Sequence, residues 1–218
     1  MPGTAPMIRA SMLAGLEEYL NASEVGTTVT ELLGRDASPD SDDLLLDHYL
    51  SLLERVASLT RDPCFGLRFA HAFPVGAMKI YSFLTLNAPD LRTMVWCASR
   101  YVRLQSDALD VVFEEAGGFG TITWRFGPEV TAPQKSMLEF CMAFCVDRMR
   151  RYSGTQWTPA SARFSYPDPR TLDICRQNYA DCFGADLTFD ASICALTAPS
   201  GEFERPLQGA NRKLFELL

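Results

Sequence analysis

The stretch that most constrains the fold runs from Leu109 to Tyr152 and reads as a β-hairpin followed by one long helix. From Leu109 to Glu115 and from Thr121 to Phe126, apolar and polar residues mostly alternate, as in strands with one face in water. The alternation turns Val111 and Phe113 inward beside Ile122, Trp124 and Phe126. Between the runs, Ala116 to Gly120 holds Gly117, Gly118 and Gly120, which admit the positive φ values of a hairpin connection. The helix that follows has Thr131 as a predicted N-cap, Pro133 near its first turn and apolar residues at Met137, Phe140, Cys141, Phe144, Cys145 and Val146. Arg148, Arg150 and Arg151 complement the negative end of its dipole. A helix with such a stripe has to cover apolar surface, and the inner face of the hairpin's sheet is the nearest.

Upstream of this core the pattern is helical. Met7 to Leu20 carries Ile8, Met12, Leu13, Leu16, Tyr19 and Leu20 at helical spacing, and a second short helix is predicted from Thr28 to Leu33, ending at Gly34. After a polar linker from Arg35 to Ser38, Pro39 and Asp40 suit a first turn, with Leu45, Tyr49, Leu52, Leu53 and Val56 on one face. Asp62 and Pro63 open a further short helix, Met78 to Leu86 another, and Asp90 precedes a well-patterned one with Leu91, Met94, Val95, Ala98, Tyr101 and Val102 on its face.

Downstream, Ala160 to Tyr166 alternates as a strand, and Leu172 to Phe183 reads as a helix capped by Gly184. Leu187 to Leu196 reads as a last strand region, Pro199 to Pro206 as a loop, and Asn211 to Leu218 as a terminal helix. The order implies an α+β domain: a helical N-terminal half, then a mostly antiparallel four- to five-stranded sheet with helices packed on it.

With 218 residues and 47% hydrophobic composition the chain can bury a sizeable core as one domain. Its net charge of -7 argues against nucleic-acid binding by this part, because phosphate contacts need clustered Lys and Arg. No secretory signal or membrane-length apolar run is read, so the chain is expected to be cytoplasmic. Its seven cysteines lack CxxC spacing, so no disulfide framework or zinc cluster is expected and most read as small core residues.

The common catalytic motifs are missing: there is no GxGxxG after a strand, no GxxxxGK[ST], no GxSxG and no HExxH. Catalytic residues, metal ligands and cofactors are therefore not assigned. Cys141 and Cys145 stand four apart, yet with Phe140, Met142 and Phe144 around them they read as core. The candidate ligand pocket is drawn from aromatics with a few polar anchors: Trp96, Arg100, Tyr101, Trp124, Phe140, Phe144, Arg148 and Tyr166. The bland reading of each is a core aromatic or a solvated arginine.

Three stretches carry a family resemblance. Thr60-Arg61-Asp62-Pro63-Cys64-Phe65-Gly66-Leu67-Arg68-Phe69 follows the form T-G-D-P-x-F-G-L-R. Tyr81 leads through Ala88-Pro89-Asp90-Leu91 to Arg100-Tyr101-Val102-Arg103-Leu104, just before the hairpin. Trp157-Thr158-Pro159, Phe164-Ser165-Tyr166-Pro167, Phe183-Gly184-Ala185 and the neighbourhood of Arg205 complete the set. In order and spacing these resemble the N-terminal effector-binding, arabinose-binding-type domain of AraC-family transcription regulators, over most of residues 10–218. Arg61 stands where the pattern favours glycine and Tyr166 where histidine is common, departures that bear on the ligand rather than the fold.

The resemblance implies a regulatory domain of a bacterial transcription regulator, not an enzyme. It would bind a small-molecule effector and control a helix-turn-helix DNA-binding domain expected in the full-length protein and absent after Leu218. DNA would be reached only through that missing domain, and no membrane partner is implied. Paired half-sites call for a homodimer, with Leu214, Phe215, Leu217 and Leu218 of the terminal helix as one candidate contact. Two other classes stay open on the residues alone. A cysteine-using enzyme would show a reactive low-pKa thiol, and a haem or metal sensor would have to use His48 or His71.

Overall fold

The helical half comes first and the sheet second, as the residue patterns imply. The computed structural model describes residues 4–34, 42–169, 173–184 and 186–217. The chain opens with strand β1 (Met7–Arg9), a 3-10 turn (Ala10–Leu13), α1 (Leu16–Ala22) and α2 (Val29–Leu33). Strand β2 (Asp43–Leu45) leads into α3 (Leu46–Leu59), followed by α4 (Phe65–Ala72), α5 (Ile80–Leu86) and α6 (Leu91–Tyr101). A 3-10 turn (Val102–Leu104) then enters the hairpin β3 (Leu109–Ala116) and β4 (Phe119–Phe126), and the long helix α7 (Lys135–Ser153). The rest is β5 (Ser161–Arg163), α8 (Asp173–Phe183), β6 (Leu187–Thr188), β7 (Cys194–Pro199), a 3-10 turn (Ser200–Glu204) and α9 (Arg212–Phe215).

The five-stranded sheet has the order β3-β4-β7-β5-β6, antiparallel except between β5 and β6. In the hairpin Leu109 opposes Phe126, Val111 opposes Trp124 and Phe113 opposes Ile122, so the inward set of the sequence reading forms one face. The turn is only Gly117-Gly118, with φ of 59° and 82°. Two consecutive positive φ values give the twist that a two-residue hairpin needs, and glycine adopts them without a Cβ clash.

Helix α7 lies between this sheet and the helical layer, packing on β4 and β7 on one side and on α3, α4 and α8 on others. It is buried nearly all round, including Leu138, Met142, Ala143 and Met149 outside the predicted stripe, as a helix with neighbours on every side must be. Phe69 and Phe73, in and just after α4, interleave with Phe140 and Phe144 of α7, the facing ring centroids 5.2, 5.3 and 5.8 Å apart. Gly66 is the closest point of the crossing: a Cβ built there would lie 2.4 Å from the Ser136 carbonyl oxygen and 2.8 Å from Glu139 Cβ.

Several local expectations are corrected. Met7 to Leu20 is not one helix, because Ile8 pairs with Leu44 in a two-stranded antiparallel ribbon and Gly15, at φ 79° against Pro74, resets the chain into α1. Leu45 ends β2 instead of starting the face of α3, and the first turn read at Pro39 and Asp40 lies outside the described residues. Thr131 does not cap α7: its hydroxyl donates to Asp47 Oδ2 at 2.5 Å and its amide faces the same carboxylate. The helix starts at Lys135, where Glu54 Oε1 accepts the Ser136 amide at 2.7 Å. Asp62 accepts the Cys64 amide at 3.0 Å, and α4 proper starts three residues on at Phe65.

The stretch Leu187 to Leu196 splits into β6 and β7, which β5 separates in the sheet. The terminal helix spans only Arg212–Phe215, with Leu217 83% exposed beyond it. Cys64 and Cys175, 111 residues apart, form one disulfide joining the start of α4 to α8, so these two are not independent core thiols. The helix from Thr28, by contrast, has its full capping box with Glu31, and Asp90 caps α6 through the Thr93 amide at 2.7 Å.

The crossing at Gly66 yields a test. Gly66→Ala drives a methyl group into the α7 backbone, and the expected loss is about 1–3 kcal/mol of stability despite alanine's better helix propensity. Gly201→Ala, which meets open space at an ordinary φ, is expected to stay within about 0.5 kcal/mol. Urea unfolding of both variants checks the contrast.

Candidate functional site

A cavity of about 90 Å³ lies between the hairpin, α7, α6, α5 and the N-terminal 3-10 turn. Its floor is the inner hairpin face, Leu109, Val111, Ile122 and Trp124. One wall is the α7 stripe Met137, Phe140, Cys141, Phe144, Cys145 and Arg148, a spacing that repeats one helix face. The opposite wall comes from Met94, Val95 and Ala98 of α6 and from Tyr81, Ser82 and Thr85 of α5. Ile8, Met12, Gln105 and Ser106 close one end, and the segment Val75–Gly76–Met78 forms the roof. Positive φ values stand in that roof at Gly76, 82°, and at Lys79 where it joins α5, 50°, the second at a residue with a Cβ.

The polar groups of the wall are few. Thr85 Oγ1 is satisfied by the Tyr81 and Ser82 carbonyls at 3.0 and 3.1 Å, and Gln105 Nε2 donates to the Met78 carbonyl at 3.2 Å, tying the roof to the end wall. Ser106, 2% exposed, has no hydrogen-bond partner for its hydroxyl among the described residues. Arg148, 5% exposed, donates from Nη2 to the Phe73 carbonyl at 2.8 Å and from Nη1 to Asp147 Oδ2 at 3.2 Å, and lies 4.4 Å over the Phe144 ring. Burial works against the Asp147 charge, but His71, Arg148 and Arg151 together hold its carboxyl below the ordinary range. Burial lowers the Arg148 guanidinium from its usual value, the neighbouring Asp147 working the other way.

Four of the eight candidate pocket residues meet at this cavity: Trp124, Phe140, Phe144 and Arg148. Trp96 and Arg100 do not. With Met94, Val95 and Ala98 turned inward, the helical period puts 96 and 100 on the outer face, where Trp96 is 49% exposed and the Arg100 guanidinium sits 5.5 Å over its ring. Tyr101 is half-buried at the end of α6, off the cavity wall. Tyr166 is buried on the α8 side, its hydroxyl 3.1 Å from that of Tyr179. The wall residues Ser106, Gln105 and Ser82 carried no sequence signal, since a lone serine or glutamine between helices looks like any loop residue. Met94 and Ala98 had been legible only as core.

The remaining candidates for chemistry are placed as follows. Burial pushes each of the five free thiols up, Cys97 to about 11 and Cys145 and Cys182 to about 12, so none is poised as a thiolate. His48 is exposed, and His71 Nδ1 stands 3.1 Å from Asp147. Among the described residues no group of three His, Cys, Asp or Glu is placed to hold a metal ion. Nor is any described helix long and apolar enough to cross a membrane.

This α+β fold is also found in a transcription regulator. The crystal structure of the transcriptional regulator CdpR from Pseudomonas aeruginosa matches it with a TM-score of 0.64 over 93% of this chain, at 13% identity, a likeness of fold alone. The chain spans 59% of that protein's length. The profile of the arabinose-binding domain of AraC transcription regulators, N-terminal, matches residues 34–207. The chain belongs to this family, which is a domain of transcription regulators and not an enzyme family. Among curated proteins none matches the sequence.

The unpaired Ser106 hydroxyl gives a test of the cavity's polar wall. A buried hydroxyl without a partner costs about 1–3 kcal/mol, so Ser106→Ala is expected to raise the stability of the ligand-free chain, by about 1 kcal/mol. Urea midpoints measure this. A fall of the same size would mean that cavity water already satisfies the group.

Proposed function

We propose that this domain is the effector sensor of an AraC-family transcription regulator and that the cavity between hairpin, α7 and α6 is the effector site. The observation that carries the reading is the cavity itself: an apolar chamber with few polar groups, one of them a buried hydroxyl with no partner. The family supplies the regulatory class. On this reading the domain catalyses no reaction and contacts no DNA; DNA is bound by a separate helix-turn-helix domain of a longer bacterial, cytoplasmic protein. The acidic charge of this domain and its 59% coverage of a regulator with the same fold both support that division of labour.

The experiment is a thermal-shift screen of the chain against a metabolite library, repeated on Ala98→Phe. The added ring enters the cavity from α6, so any ligand that raises the midpoint of the wild-type chain is expected to lose its effect on the variant. A ligand at about 100 times its Kd contributes about 2.7 kcal/mol, well within reach of such a screen. Shifts retained in Ala98→Phe would place the site elsewhere.

Self-association is part of the proposal, since a symmetric dimer matches paired half-sites. Phe215 packs partly against the core whereas Leu217 is exposed, so the terminal segment offers a smaller apolar contact than an eight-residue helix would. Sedimentation at micromolar concentration is expected to show a dimer. A chain that stays monomeric with and without a bound ligand would remove this part of the proposal.

A further inference from the structure

We propose that the effector is a small carboxylic acid with an apolar body, its carboxylate held by Arg148 and its body laid along the α7 stripe above the hairpin floor. This rests on the reading of the cavity as the effector site and adds the ligand's chemical class to it. Arg148 is the one charged side chain among the described residues of the wall. A guanidinium has five N–H donors, and two protein acceptors meet it here, the Phe73 carbonyl and Asp147.

The charge around Arg148 is unbalanced in the same direction. Asp147 is the carboxylate paired with it, and Asp147 also serves Arg151 at 3.7 Å and His71 at 3.1 Å. Two guanidinium groups therefore share one carboxylate even with His71 neutral. A buried, incompletely paired cation beside an apolar chamber favours a ligand that brings one negative charge. A phosphate dianion fits less well, since the described wall offers no second cation to balance its second charge.

Size and wall chemistry fix the other end. A cavity of about 90 Å³ holds on the order of six to nine water-sized groups. Phe140, Phe144 and Trp124 give an apolar bed, and the Ser106 hydroxyl supplies a second polar anchor, independent of the arginine. Both features suit a short-chain aliphatic acid, and neither suits a polyhydroxylated sugar, which would leave its hydroxyls against carbon.

The test is calorimetric titration of the 218-residue chain with pentanoate and hexanoate, each against its neutral methyl ester and alcohol, and with inorganic phosphate. The acids are expected to bind at least about tenfold more tightly than their neutral partners, the scale of a charge-assisted hydrogen bond. Arg148→Met should erase that preference while the alcohols still bind, and Ala98→Phe should abolish binding of acids and alcohols alike. Because Arg148 also bonds Phe73 and Asp147, the wild-type comparison of acid with ester decides the matter even if Arg148→Met fails to fold. Esters and acids binding equally, or phosphate displacing both, would overturn the carboxylate proposal and leave the effector site standing. Acid binding that survives Ala98→Phe would overturn both.

Discussion

The helical layer depends on one buried carboxylate. Glu139 of α7 is fully enclosed, with Oε2 accepting the Gly66 amide of α4 at 3.0 Å and Lys135 Nζ at 3.1 Å, and Oε1 accepting the Tyr179 hydroxyl of α8. Tyr179 has a single proton and gives it to Glu139, so the Tyr166 hydroxyl, 3.1 Å away, donates to Tyr179. Burial pushes the Glu139 carboxyl up, while the Lys135 charge and the donated hydrogen bonds pull the other way. A charge so placed is tolerable only with its donors present, and losing one would leave a cost of several kcal/mol. Four segments, α4, α7, α8 and the stretch that follows β5, therefore hold one another in place through this group. The backbone amide can reach the carboxylate because residue 66 is glycine.

That anchoring sets the position of the cavity. At about 100° per residue, Met137, Cys141, Phe144, Cys145 and Arg148 project roughly opposite Glu139 on the same helix. Fixing the Glu139 face against α4 and α8 therefore turns the other face over the hairpin floor. The aromatic interleaving of Phe69 and Phe73 with Phe140 and Phe144 completes one side, and Arg148 closes it by donating to the Phe73 carbonyl. Cavity wall and structural hub are two faces of one helix, so the wall side chains are held by packing on rigid elements and not by a loop.

How much of this was legible depends on whether the cause was local. The hairpin, the short helix from Thr28 to its end at Gly34, and the start of α6 at Asp90 are properties of adjacent residues, and each formed where its pattern lay. The first helix failed as a reading because the partner of Ile8, Leu44, lies 36 residues on and overrides the helical period. Thr131 looked like a cap because Asp47, which takes its hydroxyl, is distant in sequence. The pocket divided in the same way: Phe140, Phe144, Trp124 and Arg148 sit on elements whose inward face was readable. Trp96 and Arg100 were included for their chemistry although the period of α6 turns them outward. Tyr166 belongs with the Glu139 network, and the Cys64–Cys175 pair spans 111 residues, so neither could be placed without the tertiary fold.

The cavity wall draws on almost every layer, from β1 and the N-terminal 3-10 turn through α5, α6 and the hairpin to α7. An occupant would touch all of these at once and favour the arrangement in which they close on it, so its effect on the chain would be one of relative placement between layers. A ligand changes such an equilibrium only by binding two arrangements unequally. The walls on α7 and the hairpin are the least free to differ, being locked by the Glu139 hub and by the ladder of β4 between β3 and β7. The roof is the part without regular structure, held by Gln105 to the Met78 carbonyl and carrying Lys79 at φ 50°. A left-handed backbone at a residue with a Cβ persists only where its surroundings enforce it. The roof and α5, on the side of the cavity facing away from the sheet, are therefore the part of the wall held by neither the Glu139 hub nor the sheet ladder.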